Sequence, residues 1–177
     1  MLIVRDFERM APAYRGAVVA LGNFDGVHEG HRRILAACVA EARRRGVKPA
    51  VMTFAPHPRE FFHPEAAALR LQGFRQKIQA FQAAGMDIVF LARFNAAFAS
   101  LSPQAFVAEV LAGQLGAAHV VTGYNFAFGK GRGGDTDFLA RVLSAFGVGF
   151  TACPQVRGHA GKHGRHARGR GNAVVGT

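Results

Sequence analysis

Residues 18–31 read VVALGNFDGVHEGH, and the fold turns on how this stretch is parsed. Val18 to Leu21 is an uninterrupted apolar run, as a strand covered on both faces requires, and Gly22 ends it. From His31 to Arg45, apolar residues recur at Ile34, Leu35, Cys38, Val39 and Ala42, which is helical spacing, and Gly46 supplies a stop. A buried strand running through a glycine-rich turn into a helix places free backbone N–H groups and the positive end of the helix dipole at the turn.

The rest of the chain repeats that alternation. Residues 50–54 (AVMTF) form a second strand closed by the Pro56-His57-Pro58 turn, and a helix carrying Ile78 and Phe81 ends at Gly85. Residues 87–91 (DIVFL) form a third strand. Ser102-Pro103 then opens a helix, serine as cap and proline in the first helical position. Residues 119–122 form a fourth strand, 135–146 a helix and 148–153 a fifth strand. The expectation is an α/β domain over residues 1–156: a Rossmann-like sandwich with a five-stranded parallel sheet core, helices on both faces, and ligands beyond the carboxyl ends of the strands.

Composition narrows the class. Half of the 177 residues are hydrophobic and 19% are charged, enough to bury a core. No apolar run approaches the ~20 residues of a membrane span, and charges at Arg5, Asp6, Glu8 and Arg9 interrupt the place of a signal peptide's apolar stretch. Cys38 and Cys153 stand far apart in no metal or redox spacing, so they read as reduced thiols used as small apolar residues. A cytoplasmic protein is expected. The net charge of +11 raises nucleic acid as a partner, but Arg157, Lys162, Arg165, Arg168 and Arg170 supply five of those charges with no acid among them. Without that tail the balance is 17 basic against 11 acidic residues, so a nucleic-acid role is disfavoured.

In the decamer itself, Gly22, Gly26 and Gly30 let the backbone approach a ligand closely. His28 and His31, three apart at the first helical turn, project on one face and suit phosphate oxygens. A solvated glycine-rich turn is the plain alternative. Zinc is the other, but no third or fourth ligand stands at a suitable spacing.

GNFDGVHEGH resembles the signature of the prokaryotic FAD synthetases, bifunctional riboflavin kinase/FMN adenylyltransferases of the nucleotidyltransferase superfamily marked by an HxGH motif. Three further segments match in order: TFAPHP (53–58), FNAAFASLSPQAFV (94–107) and VVTGYNFAFGKGRGGD (120–135). The resemblance implies transfer of AMP from ATP to FMN, giving FAD and pyrophosphate with Mg²⁺ present. It assigns catalysis to His28, His31 and Asn125, and the ATP phosphates to Gly22, Asn23, Phe24, Asp25, Gly26 and Gly30. Asn125 is also the candidate Mg²⁺ contact. Asp25 either reaches the metal or accepts from neighbouring backbone N–H groups. Phe54, Pro56, His57, Pro58, Phe62 and Phe128 are the candidates for the flavin. Lys130 and Arg132 meet substrate phosphates or form a solvated basic loop.

Past residue 153 the pattern departs. The family continues into a Ser-Ser/Thr-x-x-Arg segment and then a riboflavin kinase domain, and no residues here match either. Residues 157–177 are rich in Gly, Arg and His, and are expected to be disordered, from a frameshift or a truncation. Reduced activity, or a catalytically impaired nucleotide- and flavin-binding remnant, is the alternative expectation.

Overall fold

In a computed structural model, residues 1–7, 9–65 and 73–155 are described. The 157–177 tail named above therefore lies outside the described residues. Six parallel strands run β1 (Leu2–Val4), β2 (Val18–Leu21), β3 (Pro49–Ala55), β4 (Ile88–Arg93), β5 (His119–Gly123) and β6 (Gly149–Cys153). Their order across the sheet is β1-β4-β3-β2-β5-β6. The sheet thus has six strands where five were expected. The additional edge strand is the N-terminal Leu2–Val4, which pairs with Ile88–Phe90.

The helices are α1 (Glu29–Arg45), α2 (Pro58–Phe62), α3 (Phe74–Ala83), α4 (Ala96–Ala99), α5 (Pro103–Ala105) and α6 (Thr136–Ala145). From α5 the chain continues as a π-helix, Phe106–Gln114. The wider winding brings Gly113 under the Ala108 carbonyl, where an added Cβ would lie 2.9 Å from the oxygen.

Alternation along the strands divides the core in two. Val19, Leu21, Met52, Phe90 and Val120 face the π-helix and α6, packing on Val107, Leu111, Leu139 and Leu143. Val18, Ala20, Val51, Val89 and Val121 face α1 and α3, packing on Leu35, Cys38, Ala42 and Phe81. Helices therefore cover both faces, as a parallel sheet requires. Leu35 is fully buried in α1, and truncating such a side chain to alanine costs about 2–5 kcal/mol. Gly46 stops α1 with φ 66°, a left-handed conformation that favours glycine. The Ser102 hydroxyl accepts from the Ala105 N–H at 3.0 Å, with Pro103 behind it.

Both thiols are buried in this packing. Burial pushes the Cys38 thiol up to about 12, and it donates to the Val18 carbonyl at 3.3 Å. Burial raises Cys153 as well. Cys38 behaves as the small apolar residue that its spacing suggested. Among the described residues, no helix is long and apolar enough to cross a membrane.

The chain proceeds outward from β2 to β3 and β4, then returns to the other side of β2 for β5 and β6. The strand order reverses between β2 and β5. In open parallel sheets the carboxyl ends at such a reversal diverge and leave a crevice.

Candidate active site

That crevice is present. A cleft of about 520 Å³ opens beyond the ends of β2 and β5, lined by Leu21, Gly22, Asn23 and Phe24 from one side and Gly123, Tyr124 and Asn125 from the other. The first turn of α1 closes its floor with His28, Gly30 and His31.

α1 begins two residues earlier than its apolar pattern suggested, so His28 is the cap and not a first-turn residue. Its Nδ1 accepts from the Gly30 N–H at 3.2 Å. An Nδ1 that accepts is unprotonated, so in the neutral ring the hydrogen sits on Nε2. The His28 ring stacks on His31, with centroids 3.7 Å apart and planes 24° from parallel.

His31 is held neutral. Burial chiefly, then the neighbouring His28 and Lys77, lower it from 6.5 to about 4, while Asp25 acts in the opposite direction. Among the described residues its Nδ1 is buried with no hydrogen-bond partner, a rare state for a buried polar atom.

Between the strand and α1, the loop passes through Phe24 at φ 51°, unusual for a residue with a side chain. Burial compensates: the Phe24 ring is fully buried, edge-on to Phe81 at 5.4 Å and 5.2 Å from His31. Phe24 borders the cleft, but its ring is the anchor of the loop. Asp25 and Gly26 do not line this cleft among the described residues.

The flavin candidates fall elsewhere. Phe54 ends the buried part of β3 and touches Phe94 at 6.0 Å and Phe98 at 5.7 Å. Pro56 follows a cis peptide bond. His57 caps α2 by accepting from the Arg59 N–H at 3.0 Å, and Pro58 takes the first helical position. Phe62, expected in a loop, therefore lies at the end of a short helix, and it is 61% exposed. Phe128 is buried, stacked on Phe126 with centroids 5.7 Å apart. Rings link the two ends: Phe62, Phe94, Phe98, Phe106 and Phe128 each touch the next at 5.4–5.9 Å.

Two residues escaped the sequence reading. The Lys77 ammonium and the Thr53 hydroxyl both donate to the Asn23 carbonyl, at 2.9 and 3.1 Å. The signal for Lys77 was its place on the apolar stripe Phe74, Ile78, Phe81 of α3, where a charge does not belong without a partner. Of the two loop cations, Arg132 borders the cleft, at φ 54°, and it is the only lysine or arginine among the described residues lining it.

Fold and cleft together define an open, doubly wound parallel α/β domain with a ligand crevice at its switch point. Its sequence matches the FAD synthetase family over residues 10–165, and the chain belongs to that family. It is 43% identical over 151 residues to a bifunctional riboflavin kinase/FMN adenylyltransferase of Pseudomonas fluorescens, covering 85% of this chain and 48% of that protein. The corresponding protein of Escherichia coli K12 is 35% identical over 153 residues, covering 86% and 49%. The chain thus spans about half the length of these curated relatives. A solved structure described as a macrolide-efflux protein from Streptococcus pneumoniae superposes with TM-score 0.76 at 24% identity, over 89% of this chain and 50% of that one, which supports the fold.

Proposed function

We propose that this chain is an FMN adenylyltransferase, a cytoplasmic enzyme that transfers AMP from ATP to FMN and releases FAD and pyrophosphate. One observation carries the reading: two histidines, the N-terminus of α1 and Asn125 converge on a single cleft at the switch point.

In the reaction, an oxygen of the FMN phosphate forms a bond to the α-phosphorus of ATP. The bond from that phosphorus to the bridging oxygen breaks, and pyrophosphate carries away the electron pair. No covalent enzyme intermediate is needed, so the protein's work is positioning and charge stabilisation. The neutral His31 ring and the Nε2–H of the His28 ring offer N–H donors to the triphosphate, backed by the positive end of the α1 dipole. Arg132 adds a formal positive charge at this wall.

Mg²⁺ prefers oxygen ligands and is commonly held by few protein groups together with phosphates. Asn125, which lines the cleft, would offer that ion the hard oxygen of its side-chain amide. When bound, the ion supplies charge neutralisation at the phosphates. Gly22, Asn23, Phe24, Asp25, Gly26 and Gly30 shape the phosphate loop. Phe54, Pro56, His57, Pro58, Phe62 and Phe128 are assigned to the flavin side, where linked phenylalanine rings run from the exposed Phe62 to the buried Phe128.

Isotope-labelled ATP tests the reaction directly. With FMN and Mg²⁺, an α-phosphorus label is expected in FAD and a γ-phosphorus label in pyrophosphate. Recovery of the γ label in a flavin, or binding of both substrates by folded protein without any FAD, would overturn the proposal.

A further inference from the structure

The peptide between Asn23 and Phe24 is gripped at both ends. On one side, the Asn23 carbonyl accepts from the Lys77 ammonium of α3 at 2.9 Å and from the Thr53 hydroxyl of β3 at 3.1 Å. On the other, Phe24 sits at φ 51° with its ring wholly buried against Phe81, one helical turn beyond Lys77 on α3. Lys77 is itself only 8% exposed, which is costly for an ammonium unless its bonds are worth more than its hydration. Rotating this peptide would break both bonds to Asn23 and expel the Phe24 ring on which His31 packs.

We propose that Lys77 is the positioning residue of the phosphate loop: by fixing the Asn23 carbonyl from beneath the cleft, its ammonium sets the loop and the His31 ring for the triphosphate. This rests on the reading of the cleft as the ATP site. The same charge bears on both sides of the reaction. It helps to keep His31 neutral, secondarily to burial and His28, and it adds to the burial that disfavours protonation of His57 at the head of α2, where Asp25 acts more strongly in the opposite direction. Lys77 thus stands between the loop assigned to the phosphates and the helix assigned to the flavin, and touches no substrate in this account.

Lys77→Met keeps the apolar stem and removes the ammonium; Lys77→Arg restores a cation. The measurements are kcat and KM for ATP across pH, the affinity for a non-hydrolysable ATP analogue with Mg²⁺, and the melting temperature. Loss of a charged hydrogen bond that orders the loop is expected to lower kcat/KM and analogue affinity of the folded Met variant by about ten- to a hundredfold. The Arg variant is expected to regain most of the loss, and the acidic limb of the Met profile to move to higher pH as His31 becomes more basic. Wild-type kinetics and affinity in folded Lys77→Met would overturn the proposal. So would a loss that arginine does not restore and that leaves the pH limb in place, which is the behaviour of a purely structural residue. If the wild-type chain forms no FAD, the reaction assignment fails, yet the three analogue affinities still decide the role of Lys77. If Lys77→Met does not fold, Thr53→Val removes the other donor to Asn23: a smaller loss in the same direction supports the clamp, and unchanged affinity overturns it.

Discussion

The His28 and His31 rings lie face to face, 3.7 Å between centroids, at the mouth of α1. Two imidazolium cations at that separation, beside the positive end of a helix dipole, would repel each other strongly. His31, made less basic chiefly by burial and then by His28, is therefore built to work neutral.

Stability against pH reports that design. His31 holds a proton only below about 4 in the folded chain, against 6.5 for an ordinary histidine. Between these values the unfolded chain binds the proton and the folded chain does not, so stability falls as the pH is lowered through that window. Thermal melts of wild type and His31→Gln across the window check this: the wild-type curve is expected to be the steeper, and parallel curves would refute it.

In the proposed reaction, removing either ring takes away a donor assigned to charge that grows in the transition state. His28→Ala and His31→Ala are each expected to lower kcat by about a hundredfold or more, measured as FAD formed per enzyme. The double variant is expected to lose less than the product of the two, because the rings stack and act as a unit.

Gly134 sets the position of Phe128. The two residues exchange backbone hydrogen bonds at 3.0 Å, and a Cβ at Gly134 would lie 2.5 Å from the Phe128 ring. Gly134→Ala is expected to push that ring off Phe126 and to cost about 1–3 kcal/mol of stability, read from denaturant melts. FMN affinity, measured by flavin fluorescence, is expected to fall with it, while affinity for the ATP analogue stays near wild type.

Arg132 tests the electrostatics of the opposite wall. Arg132→Gln is expected to raise KM for ATP by about tenfold, through loss of one charge-assisted contact to phosphate. The difference from wild type is expected to shrink as salt is added, because the arginine is exposed and screened. An unchanged KM at low salt would remove Arg132 from the site.

The parts of this architecture that could be read in advance are those governed by local chemistry. The β2 run, the Gly46 stop and the Ser102-Pro103 cap each follow from a few adjacent residues. What escaped depends on distant partners. Leu2–Val4 has only three residues, too few to show a period, and becomes a strand because β4 offers a free edge. α2 hid behind an unusual cap: His57 does what serine does at residue 102, through a ring nitrogen in place of a hydroxyl. The loop from Gly22 to His31 was legible as a motif because it is continuous in sequence. Its support was not, since Lys77 meets Asn23 across 54 residues. The flavin candidates were legible as residue types, while their division between the buried Phe54 and Phe128 and the exposed Phe62 is set by packing.

A crystal structure of the chain with a non-hydrolysable ATP analogue and Mg²⁺ would test the placement of the chemistry most directly. The triphosphate is expected in the cleft between β2 and β5, its oxygens within hydrogen-bonding distance of His28, His31 and the first backbone N–H groups of α1, with Asn125 across from them. Nucleotide bound outside this cleft, or inside it with the triphosphate turned away from both histidines, would contradict it.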